Sequence, residues 1–257
     1  MVWHGDRWLE HGSATYLRTS RFLQRRTAGT YGCQIADIGT LNESSLHAGI
    51  KDLLSEPGDE LEVELDGFVI DIRRGDLLIE VQTGSFGAMG RKLDRLLSSH
   101  RILLVHPIAT ATYLHKPDAR PRKSPNRGDL WSVLDELVSI PTLLDHPNLE
   151  LDVLLVTIDK FQEHDPKARR GRGGWRTVDK RLREVGERHR FRTTDDLVGL
   201  MPAGLPEEFT TADIAVEGSM RRDAAQKLAY CLRALDRIEL VAKTRAGHRY
   251  RWADAGA

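Results

Sequence analysis

The chain of 257 residues is predicted to be an α/β protein with a mixed central sheet, followed by a smaller domain of helices closed by a β-hairpin. Three observations predict this. Residues 41–109 run through segments whose apolar spacing is helical, then strand-like three times, then helical, then strand-like. Within that run, GFVIDIRRGDLLIEVQTG (67–84) reads as two apolar, β-branched strands around the polar loop Arg73–Asp76, a hairpin pattern. From residue 193 the rhythm changes to two short helices, a longer third and a final pair of strands.

Residues 1–40 scatter Trp3, Trp8, Tyr16, Phe22 and Tyr31 among Arg, Thr and Gly without a steady period, and are set apart as an N-terminal arm. LNESSLHAGIKDLL begins a helix with Asn42 as N-cap and Leu46, Ile50, Leu53 and Leu54 inward; Pro57-Gly58 ends it. ELEVEL alternates strictly, which predicts a half-buried strand with Leu61, Val63 and Leu65 on one face. In the hairpin, pairing Ile72 with Leu77 sets Asp71 opposite Leu78 and makes Glu80 its diagonal neighbour, with Gln82 on the same face. FGAMGRKLDRLLSSH predicts a helix and RILLVHPIA a buried strand.

Beyond this core, 115–128 is a Pro-rich basic loop, DLWSVLDELVSI an amphipathic helix and LELDVLLVTID another sheet strand. Residues 166–192 are taken as a basic linker: a loop, KARRGRGGW, then a charged helix, VDKRLREVGERH. Residues 193–257 carry the helices TTDDLVGLM, TTADIAVEG and SMRRDAAQKLAYCLRALDRI, then the hairpin IELVAKT-RAG-HRYRWA. Three helices and a hairpin look like a winged helix-turn-helix domain, in which Arg221, Arg222, Gln226 and Lys227 lie on the polar side of the recognition helix.

Formal charge is zero, but unevenly distributed. Residues 1–166 hold 18 basic and 25 acidic residues, 167–192 hold 11 and 3, and 219–257 hold 9 and 4. The two basic regions are where a nucleic-acid partner would bind, with Arg169, Arg170 and Arg172 the densest cluster. Cys33 and Cys231 have no ligand spacing and imply a reducing compartment. With no apolar run of transmembrane length and no signal peptide, the expectation is a soluble cytoplasmic protein with no membrane partner.

Asp71, then Glu80-Val81-Gln82, resemble the signature of the PD-(D/E)XK (restriction-endonuclease-like) nuclease superfamily, an aspartate on one strand followed by Glu-x-Lys on the next. The order of elements from Leu41 to Ala109 is similar to that family's αβββαβ core, which the reading extends to residues 41–165. Gln82 departs from the usual lysine, as in some restriction endonucleases. The resemblance implies a metal-dependent DNA endonuclease with Mg²⁺, or Mn²⁺, on Asp71, Glu80 and the Val81 carbonyl. Gln82 would orient the attacking water, and Glu43 would be an extra acid near the metal. Two strand cuts would suit a homodimer.

Each residue also has a plainer role open to it. Asp71 and Glu80 inside apolar strands demand a positive partner, which an ion pair with Arg73 or Arg91 would equally supply. Glu43 suits a cap, and His47 a packed or partner-bonded histidine. Asp66 and Asp76 belong to turns beside glycines. Lys92 occupies a position from which a displaced lysine would restore the charge missing at Gln82, but its default is a solvated face. Two rival functions follow: a non-catalytic DNA-binding regulator on a nuclease-like scaffold, and an RNA nuclease or toxin.

Overall fold

The structure, a computed structural model, describes residues 44–167, 174–245 and 247–253. The expected arm at 1–40, together with Asn42, Glu43, Arg169, Arg170 and Arg172, lies outside the described residues. Helix α1 (Ser45–Leu54) is capped by the Ser44 side chain, which accepts from the His47 N–H. Three strands follow, β1 (Glu60–Leu65), β2 (Phe68–Arg74) and β3 (Leu77–Val81). Next come a 3-10 turn at Phe86–Met89, helix α2 (Gly90–Leu96) and strand β4 (Arg101–His115). Over these residues the element order is the one expected. The single helix foreseen at 86–100 is split because Gly87 and Gly90, poor helix formers, fall in its first turns.

The chain continues with β5 (Arg122–Lys123), a 3-10 turn at Leu130–Val133, α3 (Leu134–Leu137), β6 (Leu149–His164) and β7 (Trp175–Phe191). It closes with α4 (Thr194–Val198), β8 (Phe209–Thr210), α5 (Thr211–Glu217), α6 (Arg222–Ala234), β9 (Ile238–Thr244) and β10 (Gly247–Trp252). The large sheet is mixed, ordered β1-β2-β3-β4-β6-β7, with β5 added to β4; β8, β10 and β9 form a second sheet. β3–β4 and β4–β6 are parallel, and the other neighbours are antiparallel.

Two buried clusters cover the faces of the large sheet. On one face α1 contributes Leu46 and Ile50 against Ile72, Ile79, Val105 and Val156. On the other, Phe86, Leu93 and Leu134 meet Leu78, Leu104 and Leu151, and the same cluster runs on into Ile214, Leu228 and Leu232 of the C-terminal helices. The residues expected to form a separate C-terminal domain therefore share a core with the sheet. Cys231 is buried there, and burial pushes its thiol up to about 12, so it packs as an inert thiol. Among the described residues no helix is long and apolar enough to cross a membrane.

Three expectations are corrected. The charged helix expected at 178–189 is a strand, β7, paired along β6. Its apolar residues Val178, Leu182 and Val185 are spaced by four and three because the ladder carries irregularities opposite Leu154/Val156, Thr157/Ile158 and Phe161/Gln162. Each bulge inserts a residue and rephases a period of two into something that imitates a helix. In β1, Glu62 takes φ 53°, so the strict alternation breaks and Leu61 is left half exposed while Val63 and Leu65 stay on the core. In the hairpin, Ile72 pairs with Ile79 and Arg74 with Leu77, leaving a two-residue loop with Gly75 at φ 59° instead of the four-residue loop expected.

Asp152 on β6 is fully buried, paired with Arg190 at 2.6 Å and with Arg188. Replacing both arginines by Met would strand a carboxylate in the core. Chemical denaturation of that double variant at neutral pH is expected to show a loss of about 3–5 kcal/mol.

Candidate active site

The register of the hairpin decides what meets at its open end. The β2–β3 ladder stops at Ile72–Ile79. Continued by one step, it sets Asp71 opposite Glu80, closer than the diagonal placement expected from sequence. The strands part there, and the Asp71 side chain fills the gap: its Oδ2 accepts the Val81 backbone N–H at 2.8 Å. The Asp71 backbone N–H in turn lies close enough to the Glu80 carboxylate to favour its charged form. Asp71 thus ties its own strand to the backbone of β3.

Each acid has a cationic or protonatable partner from a different face. From α1, His47 Nε2 lies 3.0 Å from Asp71 Oδ1. From α2, Lys92 Nζ lies 2.6 Å from Glu80 Oε1 and donates to the Val69 carbonyl at 2.5 Å. The ammonium approaches Oε1 away from a good hydrogen-bond direction, so this buried oxygen has an ion pair without a well-aligned donor. Neither Arg73 nor Arg91 plays the partner foreseen for the acids; Arg73 lies 3.9 Å from Glu60.

The two carboxyls titrate apart. Burial, reinforced by the charge of Asp71 and only partly offset by Lys92, pushes Glu80 up to about 7. Burial also acts against the charge of Asp71, but the bonds from His47 and Val81 outweigh it and hold that carboxyl below its ordinary range. Neighbouring acids driven in opposite directions are a pattern of functional sites.

Gln82 sits just past β3. Its side-chain Nε2 donates to the Ser85 carbonyl at 2.7 Å, and its own carbonyl accepts from His106 Nδ1 at 2.7 Å. Burial lowers the His106 pKa and keeps the ring neutral, and the ring packs edge-on against Phe86. Gln82 therefore fastens the turn that leads into α2.

The structure brings Asp71, Glu80 and Val81 together and adds His47 and Lys92. Sequence reasoning gave Lys92 a solvated face; the structure buries most of its side chain against Glu80, because an acid inside β3 needs a cation and α2 passes over that strand. Asp66 adopts φ 51° in the β1–β2 turn, and Asp76 is largely exposed, 3.7 Å from Arg101. Neither joins the pair.

As a donor set, Asp71 and Glu80 offer hard carboxylate oxygens of the kind Mg²⁺ and Mn²⁺ take alongside several waters. Among the described residues no group of three or more His, Cys, Asp or Glu side chains gathers to hold a metal ion.

The expected nucleic-acid residues of α6 are dispersed in their contacts. Arg222 and Gln226 are exposed, Arg221 pairs with Asp223 at 3.6 Å, and Lys227 reaches Asp135 of α3 at 2.5 Å.

Fold and site together define a mixed α/β protein with a buried two-carboxylate and lysine cluster where two strands of its sheet separate. The chain belongs to the family described as Domain of unknown function (DUF8091), which matches residues 44–192 and so takes in the whole large sheet through β7. It is similar to an uncharacterized protein of Treponema pallidum (strain Nichols), 32% identical over 188 residues that span 71% of this chain and 75% of the relative. No solved structure matches the chain.

Proposed function

We propose that the protein is a metal-dependent endonuclease of the PD-(D/E)XK type that hydrolyses DNA phosphodiester bonds, with its C-terminal helices and hairpin acting as a winged-helix DNA-binding region. The observation that carries this reading is the meeting of Asp71, Glu80 and Lys92 at the open end of the β2–β3 hairpin. Asp71 and Glu80, with the Val81 carbonyl, would hold Mg²⁺ or Mn²⁺. Such an ion supplies an acidified water and positive charge for the phosphate oxygens.

The chain's own groups do the rest. His47 fixes the orientation of Asp71, and the Val81 N–H ties that carboxylate to β3. Lys92 brings a positive charge to the place where Gln82 has none, and its ammonium would face the negative charge that builds on phosphate. Gln82, held on Ser85, contributes position more than charge. Arg222 and the exposed basic residues of β7 would contact the DNA backbone in a salt-dependent, sequence-independent way.

Incubation of supercoiled plasmid with the full chain and Mg²⁺ is expected to give nicked and linear forms, and the same incubation with chelator to give none. Single-stranded RNA in a parallel arm separates DNA from RNA chemistry. No cleavage of either substrate with Mg²⁺ or Mn²⁺ would favour the second reading, a DNA-binding regulator on a nuclease-like scaffold. The tie between Gln82 and Ser85 supports that rival, because it turns the amide away from a catalytic task.

The charge argument has its own test. Lys92→Ala is expected to lower single-turnover cleavage by about 10²–10³-fold, as for loss of one positioned electrostatic group. Gln82→Ala should cost clearly less. Adding Gln82→Lys to Lys92→Ala should recover part of the lost rate; a double variant no faster than Lys92→Ala would refute the assignment of that charge to Lys92.

A further inference from the structure

We propose that the extension of the sheet beyond β3 is a stacking platform for a single-stranded stretch of nucleic acid. The proposal rests on the nuclease reading for its purpose, and deepens it by naming the substrate class as nucleic acid with an unpaired segment. β3 ends at Val81, opposite Val105, whereas β4, β6 and β7 run on together to His115, His164 and Trp175. The extension therefore starts at the end of the sheet where Asp71 and Glu80 meet, and along β4 reaches roughly 33 Å further at about 3.3 Å per residue.

The ladder fixes which residues share a face. Tyr113 pairs with Asp159, His115 with Phe161, and Asp159 with Arg181, so their side chains project from one side. Two arginines of β7 lie over the aromatic rings of that side. Arg183 is 4.1 Å from the Tyr113 ring centre, and Arg181 is 4.7 Å from that of Phe161. His115 stacks on Phe161 with centroids 4.6 Å apart and reaches Asp159 at 2.6 Å. On the opposite side Lys116 lies 3.8 Å over Trp175.

Aromatic rings with guanidinium groups over them are what bases use as stacking partners, because a base plane packs on an arginine plane as readily as on a ring. Each arginine retains donors beyond its carboxylate partner: Arg181 bonds Asp179 at 2.8 Å and Arg183 bonds Asp159 at 3.2 Å, while a guanidinium carries five N–H groups. Charge complements the rings. Residues 110–123, 157–167 and 174–184 hold ten Lys and Arg against six Asp and Glu. Rings of this kind favour a single strand over a duplex, whose bases are already stacked.

The test is fluorescence anisotropy of a labelled oligothymidylate with the full chain in chelator, where binding is read without cleavage. The wild-type protein is expected to bind it more tightly than a blunt duplex of equal strand length. Arg181→Gln with Arg183→Gln, both at exposed side chains, should weaken binding at least about fivefold, as should Tyr113→Leu with Phe161→Leu. Thermal midpoints check that each variant folds. The arginine pair alone decides the matter if the aromatic pair does not fold. A wild-type preference for the blunt duplex, or a loss smaller than fivefold in a folded pair, overturns the proposal. A protein that binds oligothymidylate through these residues but cuts nothing would sink the nuclease reading and leave the platform. One that cuts plasmid and ignores oligothymidylate would do the reverse.

Discussion

Asp71→Ala and Glu80→Ala are each expected to reduce Mg²⁺-dependent cleavage at least about a thousandfold, equivalent to roughly 4 kcal/mol in the barrier, with DNA binding in chelator nearly unchanged. The reason is geometric. The two carboxylates lie close enough for the charge of Asp71 to act on Glu80, and Asp71 also anchors the neighbouring strand through the Val81 N–H. Loss of either would remove a proposed ligand, and loss of Asp71 would also release the Val81 N–H. Asp66→Ala and Asp76→Ala should cut normally, because the first lies in a turn and the second is largely exposed. Single-turnover rates on plasmid settle the comparison. An inactive Asp66→Ala beside an active Asp71→Ala would mean that the wrong strand residue had been assigned.

The second large effect is on stability. Glu80 holds its proton up to about 7 in the fold, chiefly because it is buried, whereas an unfolded glutamate releases it near 4.3. Between those values the folded state binds more protons than the unfolded one, so stability falls as pH rises, and above about 7 the penalty is complete. Taken alone, the difference amounts to about 4 kcal/mol. Glu80→Gln cannot ionise. It should therefore unfold at nearly the same denaturant concentration as wild type at pH 4 but be up to about 4 kcal/mol more stable at pH 8 without divalent ions. It should also be inactive. Parallel pH profiles for both proteins would count against a buried, protonatable Glu80.

The sequence made the order of elements from α1 to β4 legible because each has its own period and its own punctuation, Pro57-Gly58 and Gly75 among them. It located the two acids because a charge within FVIDI or LLIEV is costly unless partnered. It misplaced them by one hairpin step, since a four-residue loop and a two-residue loop share the same parity and leave the same side chains on the same face. Lys92 was harder. Its neighbours in α2 do not reveal that this helix passes over Glu80, and only the packing of Leu93 and Leu96 on the sheet turns Lys92 toward the acid. The same limit hid β7. Bulges opposite β6 imitate a helical period, and nothing local distinguishes a solvated arginine-rich helix from an edge strand whose arginines bind Asp152, Asp159 and Glu150.

The central claim is that Asp71 and Glu80 together hold a divalent ion. Titration of Mn²⁺ into the full chain, followed by loss of the free-ion paramagnetic resonance signal, tests it without relying on cleavage. Wild-type protein is expected to take up Mn²⁺ at a site that Mg²⁺ competes for and that both Asp71→Ala and Glu80→Ala abolish. Equal uptake by wild type and both variants, or none by wild type, would contradict it.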